Sequence, residues 1–149
     1  MTLDALDRKI LNILIGNARF SYRQIAQKVH VSAATVMTRV KILEAKGVIT
    51  AYTTILNPEK IEFDIEVIVE IRIAKGKLFD VEHKIASNNN VVAVYDVTGS
   101  FDAIVIARFR TRREMDAFLK KIQQYDFVER TETKFILNTI KEKQVFLPE

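Results

Sequence analysis

Two histidines and no cysteine restrict the catalytic chemistry open to this chain of 149 residues. His30 lies in a small-residue stretch and His83 between Glu82 and Lys84, and neither belongs to a nucleophile or metal-ligand cluster. No glycine-rich loop that could cradle a phosphate occurs either. We therefore expect no enzyme, no metal and no cofactor. What stands out instead is cationic. From Arg8 to Leu43 there are Arg8, Lys9, Arg19, Arg23, Lys28, Arg39 and Lys41 without a single acid. Up to Leu56 the net charge is +5, against −1 for the remainder. Such a distribution suits a polyanion partner such as duplex DNA, although a merely solvated basic surface would have the same charge. The elements that carry these residues must decide between the two.

Apolar residues recur at helical spacing at Leu3, Leu6, Ile10, Ile13 and Leu14, with Asp4 and Asp7 in the first turn, where the helix dipole favours acids. This predicts a helix ending near Gly16-Asn17. Ser21 and Gln24 form a capping box for a short second helix, whose Ile25 and Val29 face inward. Ser32 then caps a third helix only three residues beyond Val29, and Gly47 ends it. Two helices joined so tightly describe a helix-turn-helix. At 100° per residue, Ala33, Val36, Val40 and Leu43 fall on the core side of the third helix. Ala34, Thr38 and Lys41 fall opposite, Thr35 and Met37 on the shoulders, and Arg39 nearer a core edge. With Ser32 at its start, this face is small and hydrogen-bonding first and basic in its middle, which suits the major groove. The expected DNA-binding residues are Ser32, Ala34, Thr35, Thr38, Arg39 and Lys41. A helical unit that docks protein is the rival reading.

Residues 51–63 read as a linking strand and hinge, because Thr50 to Leu56 is rich in β-branched residues and Pro58 follows. The helix-turn-helix domain is thus placed at residues 1–50 and a second domain at 64–149. In that second part a strand runs from Ile65 to Ile73, and Leu78, Val81 and Ile85 give a helix. Strands at Val91–Thr98 and Phe101–Arg110 form a hairpin across Gly99-Ser100. Thr111 caps a helix with Met115, Phe118, Leu119 and Ile122 inward, and a last strand spans Phe127 to Ile140. The order βαββαβ is ferredoxin-like, which puts both helices on one sheet face. Ile104, Ile106, Ile136 and Ile140 would leave the other face apolar, so a homodimer formed by sheet stacking is expected to cover it.

The motifs Leu3-Asp4-Ala5-Leu6-Asp7-Arg8-Lys9-Ile10-Leu11, Val31-Ser32-Ala33-Ala34-Thr35-Val36, Arg39 to Ile49 and Thr98-Gly99-Ser100-Phe101-Asp102 occur in an order and spacing that resemble the Lrp/AsnC (leucine-responsive, feast/famine) family of transcription regulators. The resemblance covers nearly the whole chain. It implies an α+β protein with an amino-terminal winged helix-turn-helix and a carboxy-terminal ferredoxin-like domain, binding double-stranded DNA as a dimer or higher homo-oligomer. It also implies an amino-acid effector held by Gly99, Ser100, Phe101 and Asp102, with Thr131 and Thr133 contributing side chains. Where the family often has a proline after the cap of the recognition helix, this chain has Ala33. Chemically, Asp102 suits an ammonium group and the turn amides suit a carboxylate, though a plain hairpin turn would contain the same residues. No apolar run approaches the ~20 residues of a membrane span, and no signal peptide is visible, so the cytoplasm is the expected location.

Overall fold

The computed structural model describes residues 2–74, 76–143 and 147. By contact the chain divides into two units, Met1–Ile55 with Lys141–Glu149, and Leu56–Ile140. The division falls within the expected link at residues 51–63. The end of the expected second domain groups with the first unit instead, and its residues 144–146, 148 and 149 lie outside the described ones.

The first unit contains α1 (Ala5–Gly16), α2 (Tyr22–Val29) and α3 (Ala33–Ala45). Each starts on a side-chain cap. Asp4 and Asp7 form a reciprocal capping box on α1, a role beyond the dipole effect that their positions suggest. Ser21 and Gln24 do the same for α2, and Ser32 accepts from the Thr35 amide (3.0 Å) on α3. A cap of this type contributes about 1 kcal/mol. The turn between α2 and α3 is tight because His30 adopts a left-handed conformation, φ 57°, as the C-cap of α2. Ile10, Leu14, Ile25, Ala26, Val36 and Val40 close the core. Beyond Gly47 the expected linking strand is absent: among the described residues 51–57 form no ladder, and only a 3₁₀ turn, Glu59–Ile61, precedes the sheet. β-branched residues alone do not make a strand, which needs a partner for its amides and carbonyls.

The second unit contains β1 (Ile65–Ile73), α4 (Leu78–Ala86), β2 (Val91–Asp96), β3 (Ala103–Phe109), α5 (Arg112–Gln123) and β4 (Val128–Phe135). The strands are ordered β2-β3-β1-β4, every pair antiparallel. That is the expected ferredoxin-like arrangement. Alternation puts Val67, Val69, Ile71 and Ile73 of β1 on one face with Ala103, Val105, Ala107 and Phe109 of β3, all buried. α4 covers this face with Val81 and Ile85, and α5 with Phe118 and Ile122. Full burial of such side chains stabilises by roughly 1.5–3 kcal/mol each, so this face accounts for the unit's existence.

Two expectations change. β4 ends at Phe135, so Leu137 and Ile140, 83% and 92% exposed, belong to no sheet face. The hairpin loop is also longer than two residues: Val97 to Asp102 joins β2 to β3, closed by the Val97 amide on the Asp102 carbonyl (2.9 Å).

Candidate functional site

The exposed face of α3 is the first candidate. Ala34, Met37, Thr38 and Lys41 are exposed, while Val36, Val40 and Leu43 are buried, so the helical phase read from sequence places each correctly. The polar groups of this face are turned inward on the helix. The Ser32 and Thr35 hydroxyls bond each other at 2.8 Å, and the Thr38 hydroxyl donates to the Ala34 carbonyl at 3.0 Å. Arg39 departs from expectation. Its guanidinium reaches back to α1, 2.5 Å from an Asp4 oxygen and 3.3 Å from an Asp7 oxygen. The hydrogen bond to Asp4 holds the Arg39 pKa above its ordinary value, and the Asp7 side chain is buried. The Asp4 pKa is lowered, chiefly by the hydrogen bond from the Asp7 amide and also by Arg39. A guanidinium neutralised by two carboxylates is poorly placed to bind phosphate. Lys41, by contrast, is exposed on this face.

The second candidate surrounds the loop between β2 and β3. Gly99 has φ +123°, a value that L side chains rarely adopt, so the turn depends on glycine here. The loop is anchored to β1: the Asp102 amide donates to the Ile71 carbonyl (2.9 Å), and an Asp102 carboxylate oxygen accepts from the Ile73 amide (2.7 Å). Arg72 donates to the Ser100 carbonyl (3.1 Å), and Arg130 lies over the Phe101 ring. Asp102 thus clamps the loop to β1 through its backbone amide and one carboxylate oxygen. An open recess of about 780 Å³ adjoins the loop, lined by Glu70, Asp96, Val97, Thr98, Ser100, Phe101 and Ile104.

Thr131 and Thr133 do not join this recess. They pair with Ile71 and Val69, so they lie on the helix-covered face, and the Thr131 hydroxyl accepts from Gln123 of α5 (3.2 Å). Their neighbours Arg130, Glu132 and Lys134 occupy the open face instead, with Lys134 ion-paired to Glu70 and Glu132. Hydrogen bonds to Glu70 and Glu132 raise the Lys134 pKa. Sequence reading missed Glu70, Asp96, Val97, Thr98 and Ile104 as lining residues. The parity of β1 was the available signal, since Glu70 alternates with the core residues Val69 and Ile71. A smaller cavity of about 370 Å³, lined by Lys84, Asn88, Lys121 and Tyr125 among others, includes none of the expected residues. Among the described residues no cluster of His, Cys, Asp or Glu is arranged to hold a metal ion, and no helix is long and apolar enough to cross a membrane.

The open sheet face has the expected apolar residues at its centre and charged ones at its margins. Its centre has Ile106 between Ile68 and Ala93, and Ile104 opposite Tyr95, but its margins carry the Arg108–Glu66 pair (3.0 Å) and the Lys134–Glu70 pair.

Residues 3–50 match the family model for a winged helix-turn-helix DNA-binding domain, and residues 66–146 match the Lrp/AsnC ligand binding domain. The chain belongs to the Lrp/AsnC family of transcription regulators. An HTH-type transcriptional regulator of Pyrococcus horikoshii is 46% identical over 142 residues, 95% of this chain and 96% of that protein. The HTH-type transcriptional regulator Ptr1 of Methanocaldococcus jannaschii is 35% identical, over 94% of this chain and 95% of that protein. Among solved structures, Escherichia coli AsnC superposes with a TM-score of 0.91 at 26% identity, covering 97% of this chain and 99% of that one. A Neisseria meningitidis regulator, solved as a complex with L-Met, shares the fold with a TM-score of 0.91 at 24% identity, over 98% and 97% of the two chains. The Lrp/AsnC fold thus extends through both units.

Proposed function

We propose that this Lrp/AsnC regulator reads duplex DNA in the cytoplasm through the exposed face of α3, as a homodimer, with an amino acid bound at the recess beside the β2–β3 loop. The observation that carries the reading is the capped, exposed α3 after a one-residue left-handed turn, in a stretch without acids from Arg8 to Leu43. Ser32, Ala34, Thr35, Thr38 and Lys41 form the groove-facing set, and Arg39 supports it by tying α3 to the start of α1. The chain catalyses no reaction in this scheme.

The open sheet face supports dimerisation because its centre of Ile68, Ala93, Tyr95, Ile104 and Ile106 stays partly exposed among the described residues, while its charged margins can pair across a two-fold axis. For the effector, Asp96 supplies negative charge to an ammonium group, and the Thr98 and Ser100 hydroxyls with the loop amides supply donors to a carboxylate. Binding of a duplex pool of random sequence, measured against salt by fluorescence anisotropy, tests the first part. A chain that docks protein instead would show no salt-dependent duplex binding. A thermal-shift screen of the twenty amino acids tests the effector, because a ligand of the native state raises stability by RT ln(1 + [L]/Kd). Ile106→Glu in the full chain, followed by analytical ultracentrifugation, should convert the dimer to monomer.

A further inference from the structure

The polar side chains of α3 that could read base edges already make hydrogen bonds within the first unit, which lowers what each has left for a base. Ser32 and Thr35 share a hydrogen bond, Thr38 returns its hydroxyl proton to the Ala34 carbonyl, and Arg39 is held by Asp4 and Asp7. What remains outward is the Ala34 methyl, the Met37 thioether chain, the Thr38 methyl and, at the far end, Lys41. At 100° per residue these four positions fall within about 100° of arc, a single stripe along the helix. In the major groove only thymine presents an apolar group, its C5 methyl. Every other base edge presents donors or acceptors that an apolar stripe would strip of water without replacing their bonds.

We propose that Ala34, Met37 and Thr38 set the sequence specificity of this chain by packing against thymine methyl groups, with Lys41 adding a charged contact beside them. The inference rests on α3 being the DNA-reading helix and names what that helix reads. The reach is small. Ala34 to Thr38 spans about 6 Å of helix at ~1.5 Å per residue. Successive bases on one strand are ~3.4 Å apart, so the stripe covers about two adjacent base pairs. Two neighbouring thymines per half-site are the expected footprint. Thr38 fits this use because its hydroxyl proton is already given to the Ala34 carbonyl, so an exposed Thr38 needs no acceptor in the groove.

The test uses the full-length chain and a duplex enriched from a random-sequence pool by repeated binding. Each thymine is replaced in turn by deoxyuridine, which removes the methyl and leaves every hydrogen-bonding group of the base pair in place. Two adjacent replacements in each half-site should weaken binding about tenfold together, with the slope of log K on log salt unchanged. Thr38→Ser, which keeps the hydroxyl bond and removes only the methyl, should abolish the penalty at one of the two positions. Circular dichroism confirms that this variant remains folded. If uracil duplexes bind within twofold of the thymine duplex at every position while salt-dependent binding persists, the methyl readout is overturned and the DNA-binding reading stands. If no duplex is enriched and none binds in a salt-dependent way, both fall.

Discussion

The two candidate sites are built in opposite ways. The face of α3 is organised mainly by neighbours in sequence: Ser32 caps Thr35, Thr38 bonds Ala34, and exposure follows the 100° rotation of the helix. The β2–β3 loop is organised at a distance. Asp102 holds the Ile73 amide and Arg72 holds the Ser100 carbonyl, contacts across 29 and 28 residues. In both places the charged residue whose type best advertised a ligand, Arg39 in one and Asp102 in the other, is bound within its own unit. Charge at a suggestive position therefore identifies a site less surely than charge left over after the fold has used what it needs.

The sharpest way to break that comparison is to remove Asp102. If it clamps the loop, Asp102→Ala should destabilise the chain by about 1–3 kcal/mol, the cost of leaving the Ile73 amide without its partner. Asp102→Asn, which keeps an acceptor oxygen, should recover most of the loss. Urea denaturation measures both. A neutral Asp102→Ala would return the residue to the free loop tip that its sequence position suggests.

Next in size is the division of labour between Lys41 and Arg39. Lys41→Ala should weaken duplex binding several-fold and reduce the slope of log K on log salt by ~0.9 for each protomer bound, as one phosphate contact is lost. Arg39→Ala should leave the slope unaltered and lower the melting temperature, because its partners are Asp4 and Asp7. Equal slope changes in the two variants would put Arg39 on the DNA and contradict the ion pair as its main role.

How far each site could be read from sequence follows from the same contrast. A helical face needs only a starting phase, so Val36, Val40 and Leu43 could be assigned inward and Ala34, Thr38 and Lys41 outward before any contact was known. The caps at Ser21, Ser32 and Thr111 were legible for the same reason, their partners lying three residues away. The βαββαβ order was legible too, as were the core faces of β1 and β3, because alternation is local. What was not legible depends on register. Thr131 and Thr133 lie on the helix side because β4 pairs Thr131 with Ile71, a register that shifts between Arg72 and Ile73. One residue of slip would have turned both to the open face. The partners of Arg39 and Asp102 lie about thirty residues away in the chain, and no spacing rule connects them. The segment 51–57 had strand-forming residues but no partner strand among the described residues.

A smaller effect sharpens the assignment of Thr131. Thr131→Val removes one hydroxyl that accepts from the half-exposed Gln123 side chain, and should change stability by less than about 1 kcal/mol. It should leave the thermal shift from any amino acid found in the screen unaltered, whereas Ser100→Ala in the recess should reduce that shift. Isothermal titration of the two variants separates them, and loss of ligand affinity in Thr131→Val would extend the effector site to the helix side of the sheet.

The smallest expected effect concerns the charge on Asp4 and is seen only through pH. Asp4 has a pKa below its ordinary 3.8 in the folded chain, first through the Asp7 amide and then through Arg39. A carboxyl group with a lowered folded pKa binds its proton less readily folded than unfolded, so it contributes stability above its unfolded pKa. That contribution must disappear as pH falls from about 4 through the folded value. Asp4→Asn isolates the charge, since asparagine caps a helix about as well as aspartate. The wild type should therefore be more stable than Asp4→Asn at pH 7, and the difference should narrow below pH 4 until the two urea midpoints converge. The amount is modest because Asp4 and Arg39 are both partly exposed and water and salt screen them. A difference that persisted unchanged at pH 2 would mean that the charge on Asp4 is not its source, and would remove the Asp4–Arg39 pair as a contributor to stability.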